Sequence, residues 1–337
     1  LLGELALRIG GFSPIHVNPL NSFHEADPLV GYRGKPNFSG RFRRPEFDVN
    51  IKHDQNGFRK QEHQHAKEKS KHRVLIFGDS FTWGWGVGQG KVFTDQMNAW
   101  MPDYRIMNFG LNGSGTVQQF TIFEALAQDM LRPGDTVALV FVGNDFTDNV
   151  IRFLRAEVKD GQVRRVGPTR LLGTKGDFDL KYVSYLYNYV VFSAAVLKAT
   201  IEEKRARKKL RKLIDLHGKR KELMVAQHFL AEFDRLVEQK QASFLVVYVP
   251  QQGELHETAE LDETEARNES TYRRAFQACA ETLKLRTLDL LPYFLEAKNL
   301  RPGERLTFGR DKHWNENGHA LAAKVIAENI LAMDRKL

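Results

Sequence analysis

RVLIFGDSFTWGWG, Arg73 to Gly86, is the stretch on which the reading of this chain turns. An apolar run stops abruptly at Gly78, Asp79 and Ser80, and an aromatic, glycine-spaced segment follows. A nearly continuous apolar run of this length is the pattern of a strand in a parallel sheet, because such a strand is covered on both faces. Three more runs of this kind lie downstream: YRIMNFG (104–110), TVALVFVG (136–143) and SFLVVYVP (243–250). Helical patterns separate them, VFTDQMNAWM over 92–101, VQQFTIFEALAQDML over 117–131 and ELMVAQHFLAEFDRLVEQK over 222–240. KLRTLDLL (284–291) reads as a last short strand, and NGHALAAKVIAENILAM (317–333) as a closing amphipathic helix. Strand and helix in alternation predict a three-layer α/β/α domain around a parallel sheet.

The rest of the chain is organised around that domain. With 337 residues and 42% hydrophobic content, the chain is long enough for one large core plus an inserted subdomain. Residues 1–70 are rich in Pro, Gly, Asn, Arg and His, and stretches such as FRRPEFDVNIKHDQNGFR suggest brief strands joined by turns. We read them as an N-terminal extension to a domain spanning 71–337. Residues 151–220 break the strand and helix rhythm with a turn-rich patch, an aromatic stretch (YVSYLYNYVVF, 182–192) and a basic helix, and read as an insertion. The aromatic stretch packs the insertion against the core or lines an acyl or sugar pocket. No run of about eighteen apolar residues occurs. The opening LLGELALRIGG reads equally as the trailing end of a signal or membrane anchor and as an ordinary amphipathic helix, so a membrane tether upstream of residue 1 is one expectation.

The formal charge is +8, and between Ile201 and Lys221 ten Lys or Arg stand against three acids. The excess is therefore local. It reads as a solvated helix face, with an anionic surface as the alternative contact, and no nucleic-acid motif accompanies it. The single Cys279 excludes an internal disulfide and a Cys-rich metal site.

Four loop segments carry the candidate chemistry, at the strand ends where open α/β sheets place their ligands. Ser80 precedes a helix, so GDS alone is compatible with a simple N-cap. NFGLNGSGT (108–116) has glycines that let a backbone N–H approach a ligand, or merely form a turn. In FVGNDFTDN (141–149), Asn144 can donate its side-chain amide to an oxyanion, although Asn and Asp also form ordinary turns. In DKHWNENGH (311–319), Asp311 and His313 have the types for an orienting carboxylate and a general base. No third ligand accompanies that pair, and neither a metal nor a cofactor is expected. His319 reads as structural, the histidines at 63, 65 and 72 as solvated, and Ser114 as a rival serine without a strand-to-helix context. Trp83 and Trp85 either flank the site or pack. The G-x-S-x-G elbow of α/β-hydrolases is missing.

Taken in order, GDSF, NFGLNG, VGND and DKHWN resemble the four blocks of the SGNH or GDSL-type hydrolases. The resemblance covers Arg73 to about Met333. It implies a flavodoxin-like α/β/α fold and acyl-ester chemistry without metal. It also implies Ser80 as nucleophile, His313 as base, Asp311 as its orienter, and the Ser80 backbone, Gly113 and Asn144 as oxyanion donors, with Gly113 chosen over Gly110 and Gly115 by its preceding Asn. The acid and base are spaced D-x-H here and not D-x-x-H, which is similar to bacterial envelope members associated with polysaccharide O-acetylation. DPLVGYRGKPN and NGFRKQE resemble the leader of bacterial proteins of this kind that act outside the cytoplasm, tethered or secreted. Three functions are compatible with these residues: a serine esterase releasing small acyl groups, foremost acetyl, from a carbohydrate; a polysaccharide O-acetyltransferase using the same triad; and a catalytically silent glycan-binding protein.

Overall fold

The computed structural model describes residues 2–9, 23–44, 46–62, 70, 72–151, 154–168, 186, 216–251, 253–255, 263–309 and 311–335. Its strands, in chain order, are β1 (His24–Asp27), β2 (Gly31–Gly34), β3 (Ser39–Arg44), β4 (Phe47–Lys52), β5 (His72–Gly78), β6 (Tyr104–Gly110), β7 (Thr136–Phe141), β8 (Arg155–Lys159), β9 (Gln162–Val166), β10 (Ser243–Tyr248) and β11 (Thr287–Asp289). Five of them form one sheet in the order β11-β10-β7-β5-β6, with every neighbouring pair parallel. Read from the β6 edge, the order among the five is 2-1-3-4-5. This is the flavodoxin-like arrangement; the strand and helix alternation predicts its three layers, and the family resemblance implies the flavodoxin-like order.

Both faces of the sheet are buried, which is why its strands read as unbroken apolar runs. On one face, Leu75, Phe77, Leu139, Phe141, Val246 and Tyr248 pack beneath the helices Thr116–Ile122, Leu216–Gln239 and Glu263–Leu283. On the other, Val74, Ile76, Val140 and Val247 pack beneath Phe93–Trp100, Leu291–Leu300 and Glu316–Asp334. Phe77 is stacked on Phe109, with centroids 4.9 Å apart, and meets Phe123 edge-on at 5.6 Å. Truncating it to Ala costs about 3–5 kcal/mol. At the opposite end of the sheet from the site, buried Arg73 ties β5 to β7. Its Nε donates to Asp135 at 3.0 Å and its Nη2 to the Met130 carbonyl at 2.6 Å.

The structure departs from the sequence reading in several elements. The helix expected over 117–131 is helical over Thr116–Ile122, widens to a π turn over Phe123–Ala127 and tightens to a 3₁₀ turn over Gln128–Met130. His72, expected in a linker-like stretch, opens β5 with its ring stacked on Tyr104 at 4.9 Å, and its side chain stays half-exposed. The helices Glu263–Leu283 and Leu291–Leu300 were not anticipated. Within the expected insertion, β8 and β9 form a hairpin. Asp160 and Gly161 turn it with φ of 52° and 74°, the geometry a two-residue hairpin turn requires. Apart from Leu186, the aromatic stretch 182–192 lies outside the described residues, as do His63, His65 and residues 201–215 of the basic segment. Residues 216–221 are the first turns of Leu216–Gln239.

The N-terminal zone forms two antiparallel pairs, β1 with β2 and β3 with β4. Val30 and Tyr32 enter the core of the first sheet face. Phe23, Phe42, Phe47 and Ile51 gather around Trp83, just beyond β5. The opening residues form the helix Leu2–Ile9, and among the described residues no helix is long and apolar enough to cross a membrane.

Candidate active site

The site lies at the carboxyl ends of β5, β6 and β7, beside the switch point between β5 and β7. β5 ends at Gly78, and the helix Ser80–Trp83 starts at once. The N-cap of that helix is Asp79, whose carboxylate accepts from the Phe81 N–H at 3.0 Å. Ser80 is therefore not needed as a cap. A Cβ on Gly78 would lie 2.2 Å from Thr82 Oγ1, so glycine permits the abrupt change from strand to helix.

Ser80 Oγ is 2.7 Å from His313 Nε2, and His313 Nδ1 is 2.5 Å from Asp311 Oδ1. Residues 233 positions apart in sequence thus complete a hydroxyl–imidazole–carboxylate chain. The short D-x-H spacing is accommodated because Asp311 Oδ1 also accepts from the His313 backbone N–H, at 3.2 Å. The loop is fixed from below. Phe308 N–H donates to the His313 carbonyl at 3.0 Å, Trp314 is fully buried, and Asn315 caps the Glu316–Asp334 helix by accepting from Gly318 N–H at 3.1 Å. The imidazole lies between two aromatic rings, Phe81 at 5.0 Å and Trp85 at 5.4 Å.

The Trp85 indole N–H donates to Asp311 Oδ2 at 2.8 Å. Burial pushes the Asp311 carboxyl up, but the hydrogen bond and charge of His313, with the Trp85 N–H and the His313 amide, outweigh it. The carboxyl is held below its ordinary value, as an anion. Asp79 behaves in the opposite way. Burial pushes it up to about 6, against the Phe81 N–H and the charge of His313, and Asp148 raises it further. Its Oδ2 lies 3.4 Å from Ser80 Oγ. Asp145 is also pushed well up, by burial first and then by Asp79 and Asp148.

The other expected residues are brought to the same strand ends. Asn144 follows β7 and donates through Nδ2 to Asp148 Oδ2 at 3.0 Å. Gly113 has φ of +75°, a conformation Gly110 and Gly115 do not share. Gly110 packs on the Ser80 helix, and a Cβ there would lie 2.5 Å from Trp83 N. Gly115 packs similarly against Asn149. Ser114 is buried, and its hydroxyl is 3.4 Å from both the Gly78 carbonyl and Gln119 Nε2, so it makes no pair with a histidine among the described residues. His319 is buried with its Nδ1 accepting from Phe93 N–H at 3.3 Å. Trp83 is buried beneath the extension, stacked on Phe23 at 5.1 Å. The sequence reading missed the links from Trp85 to Asp311 and from Asn144 to Asp148. Only the second carried a signal, an amide and an acid four residues apart at a helix start.

The family model of the SGNH hydrolase-like domain of acetyltransferase AlgX matches residues 212–336. Over these residues the chain is similar to an SGNH hydrolase-like domain. Asp311 and His313 fall inside the matched span of this domain, and Ser80 precedes it. No curated protein matches the chain. Among solved structures, it is similar to a member of the lipolytic G-D-S-L family from Veillonella parvula, at 15% identity and a TM-score of 0.43 over 76% of this chain and 97% of that one. It is also similar to the acetylxylan esterase Axe2 from Geobacillus stearothermophilus, at 14% identity and a TM-score of 0.44 over 78% and 96%. Est24, a carbohydrate acetylesterase from Sinorhizobium meliloti, aligns at 13% identity with a TM-score of 0.43 over 78% and 100%.

Proposed function

We propose that the chain is a serine esterase that removes small acyl groups, foremost acetyl, from a carbohydrate through an acyl-serine intermediate. The observation that carries this reading is the continuous chain from Ser80 Oγ to His313 at 2.7 Å and on to Asp311 at 2.5 Å. Asp311 selects the imidazole tautomer whose Nε2 accepts the serine proton. Ser80 Oγ attacks the ester carbonyl as His313 takes that proton, and the oxyanion is held by the Ser80 N–H, the Gly113 N–H and the Asn144 amide. His313 then protonates the departing alkoxide, leaving the acyl group on Ser80. Water, deprotonated by the same imidazole, releases the acid and restores the serine. The Asn144–Asp148 contact supports this role, because it fixes the amide while leaving its second hydrogen for the substrate.

A second reading is favoured by the match of residues 212–336 to the SGNH hydrolase-like domain of an acetyltransferase. In it a sugar hydroxyl replaces water as acceptor, and the same residues act. We further propose that the protein works outside the cytoplasm, in the bacterial envelope or secreted, on the strength of the leader-like extension, with the basic segment near an anionic surface. Hydrolysis of an acetyl ester by the wild type and by Ser80→Ala tests the main reading, and equal rates would overturn it. An acetyl donor supplied with an oligosaccharide separates the two outcomes. Acetylated sugar supports transfer, whereas free acetate alone counts against it. Glycan binding without turnover and without labelling of Ser80 would favour the silent binding protein.

A further inference from the structure

The carboxylate of Asp311 has two oxygens with different partners. Oδ1 serves His313, and Oδ2 accepts the indole N–H of Trp85 at 2.8 Å. Trp85 is itself held by the N-terminal extension. Phe42 meets its ring edge-on at 4.7 Å, Phe47 lies at 6.4 Å, and the Arg44 guanidinium is 5.8 Å from its centroid. The loop carrying it is clamped by Arg59, which donates to the carbonyls of Gly84 and Val87 at 3.1 and 2.7 Å. The extension also reaches Asp311 directly, since Glu46 Oε2 accepts the Asp311 backbone N–H at 2.7 Å. Among the described residues, the hydrogen bonds to Asp311 from outside its own loop thus come from Trp85 and from Glu46, in the turn between β3 and β4.

We propose that Trp85 is a positioning residue for the triad acid, and that the β3–β4 pair of the extension, through Phe42 and Glu46, is part of the same device. This rests on the reading of Ser80, His313 and Asp311 as a triad. Trp85 touches no reacting atom; it acts through Asp311. Its N–H draws negative charge from the carboxylate and sets the direction of the oxygen that faces His313. Without it the carboxylate turns more freely and becomes the stronger base, and the imidazolium holds its proton more tightly. Among the described residues, the charged or titratable groups that face this pair are Arg44 and Glu46 from the extension, Asp79 from the end of β5 and His319 from the closing helix. None of them is altered by a change at the indole nitrogen.

The test is Trp85→Phe, which keeps a ring between Phe42 and His313 and removes the N–H. Two readouts are needed: kcat/KM against pH for an acetyl ester, and the downfield proton resonance of the His313 ring N–H. The expected result is a fall of about tenfold in kcat/KM, an acid limb displaced to higher pH, and a shifted or broadened resonance. A merely packing role would leave limb and resonance where they are. Phe42→Ala, which unsupports the indole without touching the site, serves if Trp85→Phe fails to fold, and should move the same resonance in the same direction. An unmoved resonance and a wild-type acid limb overturn the proposal. Ser80→Ala, run alongside, separates this failure from that of the triad reading: activity in Ser80→Ala refutes the triad, while its ring N–H resonance still reports the His313–Asp311 bond.

Discussion

Arg59→Met tests how firmly the N-terminal extension is built into the domain. The Arg59 side chain is 1% exposed, and its guanidinium donates to the carbonyls of Gly84 and Val87 at 3.1 and 2.7 Å while lying 5.0 Å from the Trp83 ring centroid. It also faces Asp95, a buried carboxyl that accepts from the Glu62 and Gly90 N–H groups at 3.1 and 3.2 Å. Methionine keeps the apolar stem beside Trp83 and removes the charge. Two carbonyls then lose a donor, and Asp95 loses its cation. Removing one partner from a buried charged cluster costs about 3–5 kcal/mol. For a domain of this size each kcal/mol lowers Tm by about 2–4 °C, so the expected fall is roughly 6–20 °C. Arg59→Lys, a point charge that cannot span both carbonyls, should fall in between. Thermal unfolding followed by circular dichroism measures this directly, with acetyl ester turnover at 25 °C as the companion assay. A Tm within about 2 °C of wild type would mean that the extension is not braced through Arg59.

Three further outcomes are expected. Asn144→Ala should lower turnover by about a hundredfold to a thousandfold with Tm close to wild type, as measured by acetyl ester kinetics and thermal unfolding. Gly113→Ala should cost about 1–2 kcal/mol in denaturant unfolding, because φ at that position is +75° and the added Cβ would lie 3.2 Å from Tyr32 Oη, and it should slow turnover by displacing the N–H. Burial pushes the His319 imidazole down to about 3, below its ordinary 6.5, so the folded state binds fewer protons than the unfolded one and its stability falls as pH drops below 6.5. By pH 5 this loss is about 2 kcal/mol, so His319→Gln should lose about that much less stability than wild type between pH 7 and pH 5; equal slopes would contradict the assignment.

The sheet was legible because each of its four long strands is buried on both faces. An apolar run such as VLIF or ALVF has no competing reading once its neighbours have helical period. β11 was legible as a short strand, but the Leu291–Leu300 helix that follows was not, since its buried residues are only Leu291 and Phe294. The helix Glu263–Leu283 was missed because the apolar residues Phe276, Cys279, Ala280 and Leu283 stand in its second half, behind the charged stretch ETEARNESTYRR. Ser80, Asp311 and His313, which form the hydroxyl–imidazole–carboxylate chain, stood out by residue type at loop positions. What orients it was not, since the direction of an indole N–H across 226 residues leaves no periodic signal. The packing of Phe23 and Phe42 around Trp83 is hidden for the same reason.

The most direct test of the central claim is covalent. After exposure to a fluorophosphonate, or briefly to an activated acetyl ester, the protein is digested and the modified residue mapped by mass spectrometry. One adduct is expected, on Ser80, absent from Ser80→Ala and slowed at least about a hundredfold in His313→Ala. An adduct on another residue, or undiminished ester turnover with Ser80 unmodified, would contradict it.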